Sequence, residues 1–371
     1  MTSDALELAR TLIAIDSVNP LLVPGAAGEG EIARFCAGWL AERGFEVTIL
    51  EQSAGRPSVV GVLRGSGGGR TLMLNGHLDT VSATPSQLTP TVRDGNLYGR
   101  GAFDMKTGVA AIMVAADAAR GLRGDVLVTL VADEEFGSAG TEEVLAAFSA
   151  DGAIVAEPSG FELTVAHRGF AWFDVQITGK AAHGSMPEQG IDAISHAGRV
   201  MRALDVLEGE LKGGAGHPLL APATVRVATI AGGVDAATVA PACALTIERR
   251  YLPGETPAAV EEQLRDVIHR VPGDATTTVT ALVSRAAFEA DQGGDVVNCV
   301  SRAYEAVVGA PVVQRGEPFW TDAALIARAG IPCIIIGVDG GGAHADKEWA
   351  TTRSIDRLTA VLEKAIREFC S

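Results

Sequence analysis

The sequence of 371 residues is poor in cysteine, in aromatic residues and in positive charge. Its five cysteines are scattered without a C-x-x-C pair, which excludes a disulfide framework or a zinc knuckle and predicts buried thiols. Lysine and arginine number 30 against 46 acidic residues, and a surface that binds nucleic-acid phosphates needs the opposite balance. No apolar run approaches the roughly 18 residues of a membrane helix. We therefore expect neither a nucleic acid nor a membrane as a partner.

The first residues of the chain and its length indicate where the protein is located and how many domains it contains. Met1-Thr2-Ser3-Asp4 contains no positively charged segment and opens no apolar one, so we expect a cytoplasmic protein. The chain is longer than one hydrophobic core usually supports, so we expect two domains.

Apolar runs alternate with helical patterns in the first part of the chain. Residues 106–120 predict a helix, and strands are predicted at 45–50, 58–63, 71–75, 125–131 and 152–156. Strands that are apolar on both faces are typical of a sheet covered by helices. The predicted fold class is therefore α/β, with a mixed sheet and helices on both faces.

The pattern changes after His167. Strands are predicted at 170–177, 223–230, 243–249 and 275–283, and helices at 191–208 and 256–270. This β-α-β-β-α-β order is typical of a ferredoxin-like α+β domain with an antiparallel sheet. The earlier pattern returns near residue 294, with a strand at 331–338 and a helix at 353–369. We predict a catalytic domain formed by residues 1–168 and 285–371, interrupted by an inserted domain over residues 169–284.

Five polar segments lie at the ends of apolar strands or in the adjoining loops. They are NGHLD at 75–79, RGAFDMKTG at 100–108, DEEFG at 133–137, AEPS at 156–159 and GGGAHAD at 340–346. Each has a plain explanation by itself: Asp104 would cap the following helix, the acids at 133–135 would form a solvated turn, and His77 would bond to a neighbouring carboxylate.

The five segments taken together favour a metal centre, because open α/β sheets place their sites at the carboxyl ends of strands. Two imidazoles and three carboxylates would meet there, from His77, Asp104, Glu135, Glu157 and His344. This donor set is typical of two zinc ions bridged by one of the carboxylates.

The motifs occur in the order of a known family. GHLDTV, GRGAFDMKTG, DEEFGS, AEPS, AAHGSMPEQG and GGAHADKEW resemble the zinc aminoacylase and exopeptidase superfamily, which includes acetylornithine deacetylase, succinyl-diaminopimelate desuccinylase and glutamate carboxypeptidase. The resemblance covers nearly the whole chain. It implies a zinc-exopeptidase fold whose inserted domain serves as a lid and joins two chains into a homodimer.

The resemblance also implies how the metal ligands are shared. His77 and Glu157 would bind one zinc ion, His344 and Glu135 would bind the other, and Asp104 would bridge the two. Cobalt or manganese could substitute for zinc. A glutamate rather than an aspartate at position 157 is closer to the deacetylase and desuccinylase branch.

Three further residues receive catalytic roles from the resemblance. Glu134 would be the general base that generates a metal-bound hydroxide, and Asp79 would orient His77. His183, on the inserted domain, would reach across the dimer interface and stabilise the oxyanion. The implied activity is cleavage of the amide bond in a small N-acylated amino acid, as in acetylornithine deacetylase. The alternative is a dipeptidase or carboxypeptidase of the glutamate carboxypeptidase type.

The residues that the resemblance implies for substrate binding match the family less closely than the metal ligands do. Arg250 matches the arginine that binds the substrate carboxylate in the family, although Arg249 could take that place instead. Thr238 stands where relatives usually carry asparagine, and Ala324 stands where they often carry arginine. Trp320 would line the acyl or side-chain pocket, or else would be a core residue.

Overall fold

The computed structural model describes residues 3–371, and the chain divides into two packed units. The first contains the chain up to Val165 together with Ala290–Arg315 and Thr321–Ser371. The second contains Ala166–Glu289 and Gly316–Trp320. The domain limits that the sequence suggests, near residues 168 and 285, stay a prediction.

In chain order, the helices of the described residues are α1 (Asp4–Ala14), α2 (Gly30–Glu42), α3 (Lys106–Ala118), α4 (Ala139–Ala147), α5 (Ala193–Gly213), α6 (Pro257–His269), α7 (Asp295–Val308), α8 (Ala323–Arg328) and α9 (Thr352–Phe369), with a short 3-10 turn at Pro187–Gln189. None of the helices in residues 3–371 combines the length and the apolar character needed to span a membrane. All five cysteines are buried free thiols.

The strands are β1 (Glu46–Leu50), β2 (Ser58–Leu63), β3 (Leu72–His77), β4 (Thr91–Arg93), β5 (Asn96–Tyr98), β6 (Val126–Val131), β7 (Gly152–Val155), β8 (Leu163–His167), β9 (Gly169–Thr178), β10 (Thr224–Gly232), β11 (Ala242–Tyr251), β12 (Thr276–Arg285), β13 (Phe288–Glu289), β14 (Gln314–Glu317), β15 (Cys333–Ile335), β16 (Gly340–Gly341) and β17 (Trp349–Thr351).

A mixed sheet forms the centre of the first unit, with the order β1-β2-β6-β3-β7-β15-β8. Strand β3 runs parallel to β6 and β7, whereas β2 is antiparallel to both of its neighbours. Every residue of β2, β3, β6 and β7 is buried, which is why these strands read as continuous apolar runs. Helices α1, α3 and α9 pack against one another, α7 packs against α9, and α4 packs against α8. The predicted α/β fold with a mixed sheet is confirmed.

One predicted strand is shorter in the structure than in the sequence analysis. The apolar run 331–338 predicts a single strand, but β15 ends at Ile335. Beyond it, the backbone nitrogen of Gly337 donates to the Ser159 hydroxyl over 2.9 Å instead of continuing the ladder. The run therefore leaves the sheet beside the loop that carries Glu157.

A small antiparallel sheet in the first unit, ordered β16-β17-β5-β4, escaped the sequence analysis. Its strands are only two or three residues long, too short to show an alternating pattern. Strand β5 leads into the loop of Asp104, and β16 leads into the loop of His344. The pairing of β16 and β5 with β17 thus fixes the starting points of both loops.

The second unit contains an antiparallel sheet of order β10-β11-β9-β12. Its chain order, β9-α5-β10-β11-α6-β12, is the predicted β-α-β-β-α-β arrangement. Residues Ala171, Phe173, Val175 and Ile177 of β9 lie in the core with residues of α5 and α6. The alternate residues of β9 form the opposite face, where Trp172 is 41% exposed.

Candidate metal centre

His77 is the last residue of β3 and is fully buried. Its Nδ1 lies 2.9 Å from the backbone carbonyl oxygen of Asp79. A carbonyl oxygen only accepts, so the imidazole proton resides on Nδ1 in this hydrogen bond. The other nitrogen, Nε2, lies 3.0 Å from Asp104 Oδ1 and 3.6 Å from Glu157 Oε1. Nε2 is therefore the nitrogen that faces the carboxylates: it can donate a proton to Asp104, or bind a metal ion once that proton is lost.

Asp104 lies between two histidines. Its Oδ1 faces His77, and its Oδ2 lies 3.4 Å from Nε2 of His344. The alternative that Asp104 caps α3 does not hold, because Met105 occupies the N-cap position and no side chain caps the helix. One carboxylate with an imidazole near each oxygen is the geometry of a bridging ligand.

Glu348 holds the loop of Asp104, and the sequence analysis missed it. One of its carboxylate oxygens accepts hydrogen bonds from the backbone nitrogens of Phe103 (2.8 Å) and Asp104 (3.0 Å). The other accepts from the backbone nitrogen of Gly101 (3.0 Å) and from Nη1 of Arg100 (2.8 Å). Glu348 is buried, so these four bonds are shielded from water.

Glu134 and Glu135 follow β6 in a tight turn and point to different neighbours. Glu135 Oε2 lies 2.9 Å from Nε2 of His344. Ligand atoms of Glu134, His77 and Glu157 lie within 4.8 Å of one another, and so do those of His77, Asp104 and Glu135. Two adjacent groups of donors therefore form, rather than the solvated turn that the three acids could otherwise have made.

The Asp79 carboxylate is buried behind this turn. It accepts hydrogen bonds from the backbone nitrogens of Glu134 and Glu135, each over 3.1 Å, and from the side-chain amide of Asn19 over 2.8 Å. Asp79 thus contacts His77 through its backbone carbonyl oxygen and through its carboxylate, whose Oδ1 lies 3.6 Å from His77 Nδ1; the same carboxylate positions the two glutamates. Asn19 carries no sequence signal that would have identified it.

Two glycines lie close to the loops of Glu157 and His344, the remaining candidate ligands. A Cβ atom at Gly337 would lie 2.0 Å from the backbone oxygen of Glu157, so only glycine permits this contact. Gly342 has φ +78° and approaches Lys347 equally closely. His344 itself has φ +61°, a left-handed conformation that is uncommon outside glycine, and its side chain is 54% exposed.

The distances between the candidate donor atoms fit those around a bound zinc ion. The four distances between facing donor atoms of the two histidines and their carboxylate neighbours run from 2.9 to 3.6 Å. Donors bound tetrahedrally to zinc lie about 3.3 Å apart, given zinc–ligand bonds near 2.0 Å.

The charges of the cluster also favour a cation. Burial raises the pKa values of Glu134 and Glu157 well above the usual range, and neighbouring carboxylates reinforce both shifts. Burial opposes ionisation of Asp104, yet hydrogen bonds from His344 and His77 hold its pKa below the usual range. The hydrogen bond to Asp104 and that to Glu135 raise the pKa of His344 to about 10.

Asp322 is a further buried acid near this cluster, and the sequence did not identify it as a site residue. Its Oδ2 accepts a hydrogen bond from the Thr141 hydroxyl over 2.6 Å. Burial raises its pKa to about 6. The sequence places it two residues after Trp320 but gives no sign that its side chain is buried.

The other predicted site residues belong to the second unit. His183 and Thr238 are paired there in an isolated β-bridge, and the His183 ring lies 2.8 Å from the Ser185 hydroxyl. His183 is exposed and Thr238 is half-buried.

The structure separates the two candidate arginines. Arg249 is fully buried and donates to Glu255 over 2.7 Å. Arg250 lies on the opposite face of the sheet, where its guanidinium group is 5.2 Å from the centre of the Phe170 ring. Trp320 packs edge-on against the same phenylalanine and donates to the Ala286 carbonyl oxygen over 3.0 Å. Arg250 also forms an ion pair with the buried carboxylate of Glu248, so Arg250, Phe170, Trp320 and Glu248 form a polar and aromatic cluster.

Comparison with known proteins agrees with this geometry. Residues 73–368 match the model of peptidase family M20/M25/M40. The chain is 31% identical to the acetylornithine deacetylase of Myxococcus xanthus, over 90% of this chain and 89% of that protein. It is 28% identical to the N-formyl-4-amino-5-aminomethyl-2-methylpyrimidine deformylase of Bacillus subtilis, over 99% and 95% of the two chains.

Among solved structures, the aminopeptidase PepT of Bacillus cereus superposes with a TM-score of 0.82 at 20% identity, covering 99% of this chain and 98% of that one. The chain therefore belongs to peptidase family M20/M25/M40 and is a metal-dependent hydrolase of carbon–nitrogen bonds.

Proposed function

We propose that the protein is a two-zinc amidohydrolase that removes the acyl group from small N-acylated amino acids, as acetylornithine deacetylase does. The position of Asp104 between His77 and His344 carries this proposal, because a carboxylate shared by two imidazoles suits a pair of metal ions. The relative of 31% identity, an acetylornithine deacetylase, supports the choice of substrate class.

The metal ligands would divide into two sets around Asp104. His77 and Glu157 would hold one zinc ion, and His344 and Glu135 the other. When bound, the pair of ions lowers the pKa of a water molecule to about 7 and polarises the substrate carbonyl group.

Glu134 would move the proton in this reaction. Its carboxylate lies beside the ligands His77 and Glu157 but is not needed to complete either set. It would take a proton from the attacking water and return it to the nitrogen of the leaving amine. The hydrogen bond from its backbone nitrogen to Asp79 fixes the point from which the side chain extends.

The second unit would supply the remaining contacts to the substrate. Arg250, supported by Phe170, would bind the carboxylate of the amino acid, and Trp320 would border the same group. His183 and Thr238, which lie side by side, would contact the acyl oxygen. We infer that His183 does so in the partner subunit of a homodimer.

A substrate panel tests the proposed function. We expect kcat/KM for N-acetylornithine and other N-acetyl, N-formyl or N-succinyl amino acids to exceed that for dipeptides by roughly 10-fold or more, since the acyl pocket would be shaped for a simple acid. Amides of the same substrates, which lack the carboxylate, should be poor substrates because they could not form an ion pair with Arg250. Dipeptides hydrolysed faster than every acylated amino acid would replace the proposal with a dipeptidase or carboxypeptidase.

Mixed dimers test the role of His183. Equal amounts of His183→Ala and Glu134→Ala chains, each inactive alone, should regain about a quarter of the wild-type activity after subunit exchange, because half of the dimers would contain one complete site. The measurement is turnover before and after mixing, with exchange followed by a mass tag on one chain. Complete exchange without recovered turnover would place His183 outside the partner's site.

A further inference from the structure

In the turn that follows β6, the backbone amides of three consecutive residues, Asp133, Glu134 and Glu135, donate to buried carboxylates. The nitrogen of Asp133 donates to Oε1 of Glu29 over 3.2 Å, and those of Glu134 and Glu135 donate to Asp79. Both accepting carboxylates are fully buried. The direction of the Glu134 and Glu135 side chains therefore depends on where these two carboxylates are fixed.

Arg56 connects the supports of this turn. Its Nε and Nη2 each donate to Glu29 over 2.6 Å, and Nη2 also donates to Oδ1 of Asp133 over 3.0 Å. The same Oδ1 accepts from Asn19, whose amide nitrogen bonds to Asp79 as well. A continuous set of hydrogen bonds thus leads from Arg56 to the residue behind Glu134 and Glu135. We call Arg56, Glu29, Asp133 and Asn19 the Arg56 network.

The turn needs external support because its backbone is unusual and its charges are buried. Asp133 has φ +71°, a conformation that aspartate adopts at a cost unless its surroundings impose it. Glu29 and Asp133 bring two buried carboxylates, and the Arg56 side chain, only 10% exposed, is the cation that bonds to both. Without it, two buried negative charges would lie together without a donor of opposite charge.

We propose that Arg56 is a positioning residue for catalysis, acting through Glu29 and Asp133 to hold the turn that directs Glu134 and Glu135. The inference deepens the proposed function and rests on it, since it concerns the general base and one metal ligand named there. Arg56 touches no ligand of the metal centre and would act only through the turn.

A cavity makes this inference testable by chemical rescue. It has a volume of about 320 Å³ and is lined in part by Leu21, Gln52, Arg56, Asp133 and Ala139. Removal of the arginine side chain would enlarge it beside the two carboxylates. A guanidinium ion in solution is small enough to enter this space and to donate to Glu29 and Asp133 in place of the missing side chain.

The experiment compares Arg56→Ala, Arg56→Lys and the wild-type protein, all loaded with zinc. We expect Arg56→Ala to lower kcat by roughly 10- to 100-fold with little change in KM, because supports behind catalytic ligands have effects of this size. The kcat of Arg56→Lys should lie between those of Arg56→Ala and the wild type, since one ammonium group cannot reproduce the several donors of the guanidinium group. Guanidinium chloride, well below denaturing concentrations, should restore kcat of Arg56→Ala saturably, whereas sodium chloride and urea should not.

Arg64→Ala is the matched control. Arg64 also joins two carboxylates, those of Glu46 (2.9 Å) and Asp125 (2.6 Å), but its side chain is 58% exposed. Its replacement should leave kcat unchanged and insensitive to guanidinium. A wild-type kcat in Arg56→Ala, or guanidinium that raises its thermal stability without raising kcat, would overturn the positioning role.

Amide hydrogen exchange separates this inference from the proposed function. In the metal-free protein, the amides of 133–135 should exchange faster in Arg56→Ala than in the wild type and slow again with guanidinium. This result does not depend on any substrate. Unchanged exchange would overturn the inference, whereas faster exchange in a protein that hydrolyses no acylated amino acid would leave the Arg56 network in place and reject the substrate class.

Discussion

Replacing Glu134 with glutamine is expected to lower kcat by roughly 10²- to 10⁴-fold, the range for loss of a general acid–base group. The amide keeps the size of the side chain but cannot accept the proton of the attacking water or return it to the amine. The zinc content should remain that of the wild type, because the proposed ligand sets are complete without Glu134. Steady-state kinetics combined with elemental analysis measures both quantities on one preparation.

Glu142→Gln is the control for this substitution. Glu142 lies on the first turn of α4, a few residues along the same segment, and its side chain is exposed. It should retain wild-type kcat and zinc content. If Glu134→Gln kept wild-type turnover, the proton would have to be carried by another group. If it lost zinc, Glu134 would be a ligand rather than a base.

Removal of the metal is expected to abolish turnover and to lower stability. The wild-type protein should contain about two zinc ions per chain, one for each donor set around Asp104. A ligand that binds only the folded state at 100 times its dissociation constant stabilises it by about 2.7 kcal/mol, so chelation should lower the melting temperature. Turnover and melting temperature should both recover when zinc is added back, as read by activity assays and calorimetry.

Asp104→Ala should weaken both zinc sites at once, because its two oxygens face different histidines. We expect fewer than two zinc ions per chain after dialysis and loss of turnover. Asp94→Asn is the control, since Asp94 is also a loop aspartate but its side chain is 84% exposed, and asparagine tolerates its φ of +52°. Full zinc content in Asp104→Ala would remove the bridging role, and turnover that survives complete chelation would reject a metal mechanism.

The sequence predicts those strands that are buried on both faces and are long enough to show an apolar run. Strands β2, β3 and β6 are buried on both sides, so apart from Asn75 and His77 at the end of β3 their residues are apolar or small, and the run is visible. The small sheet of β4, β5, β16 and β17 shows no such signal, because its strands are too short for a period. The point at which the run 331–338 leaves the sheet was also not predictable, since Gly337 bonds there to Ser159, a residue distant in sequence.

The same distinction applies to the candidate site. His77, Asp104 and His344 are recognisable from glycine-flanked motifs whose residue types suit a metal. Glu348 and Arg56 are charged residues in polar segments, so the sequence gives them the character of surface residues. Their burial follows from partners far along the chain, such as the loop before α3 for Glu348 and Glu29 for Arg56. Roles of this kind require the tertiary structure.

The order in which the site residues occur along the chain affects how the protein is made. Glu157 precedes the second unit along the chain, whereas His344 and the supporting Glu348 follow it. A ribosome that adds about 5–20 residues per second needs on the order of ten seconds or more to cover this interval. During that time the nascent chain has the three proposed carboxylate ligands and one proposed histidine ligand but lacks the other histidine. The proposed two-metal centre could therefore be completed only after the whole second unit has been synthesised, so a chain that stops before His344 would not hydrolyse substrate.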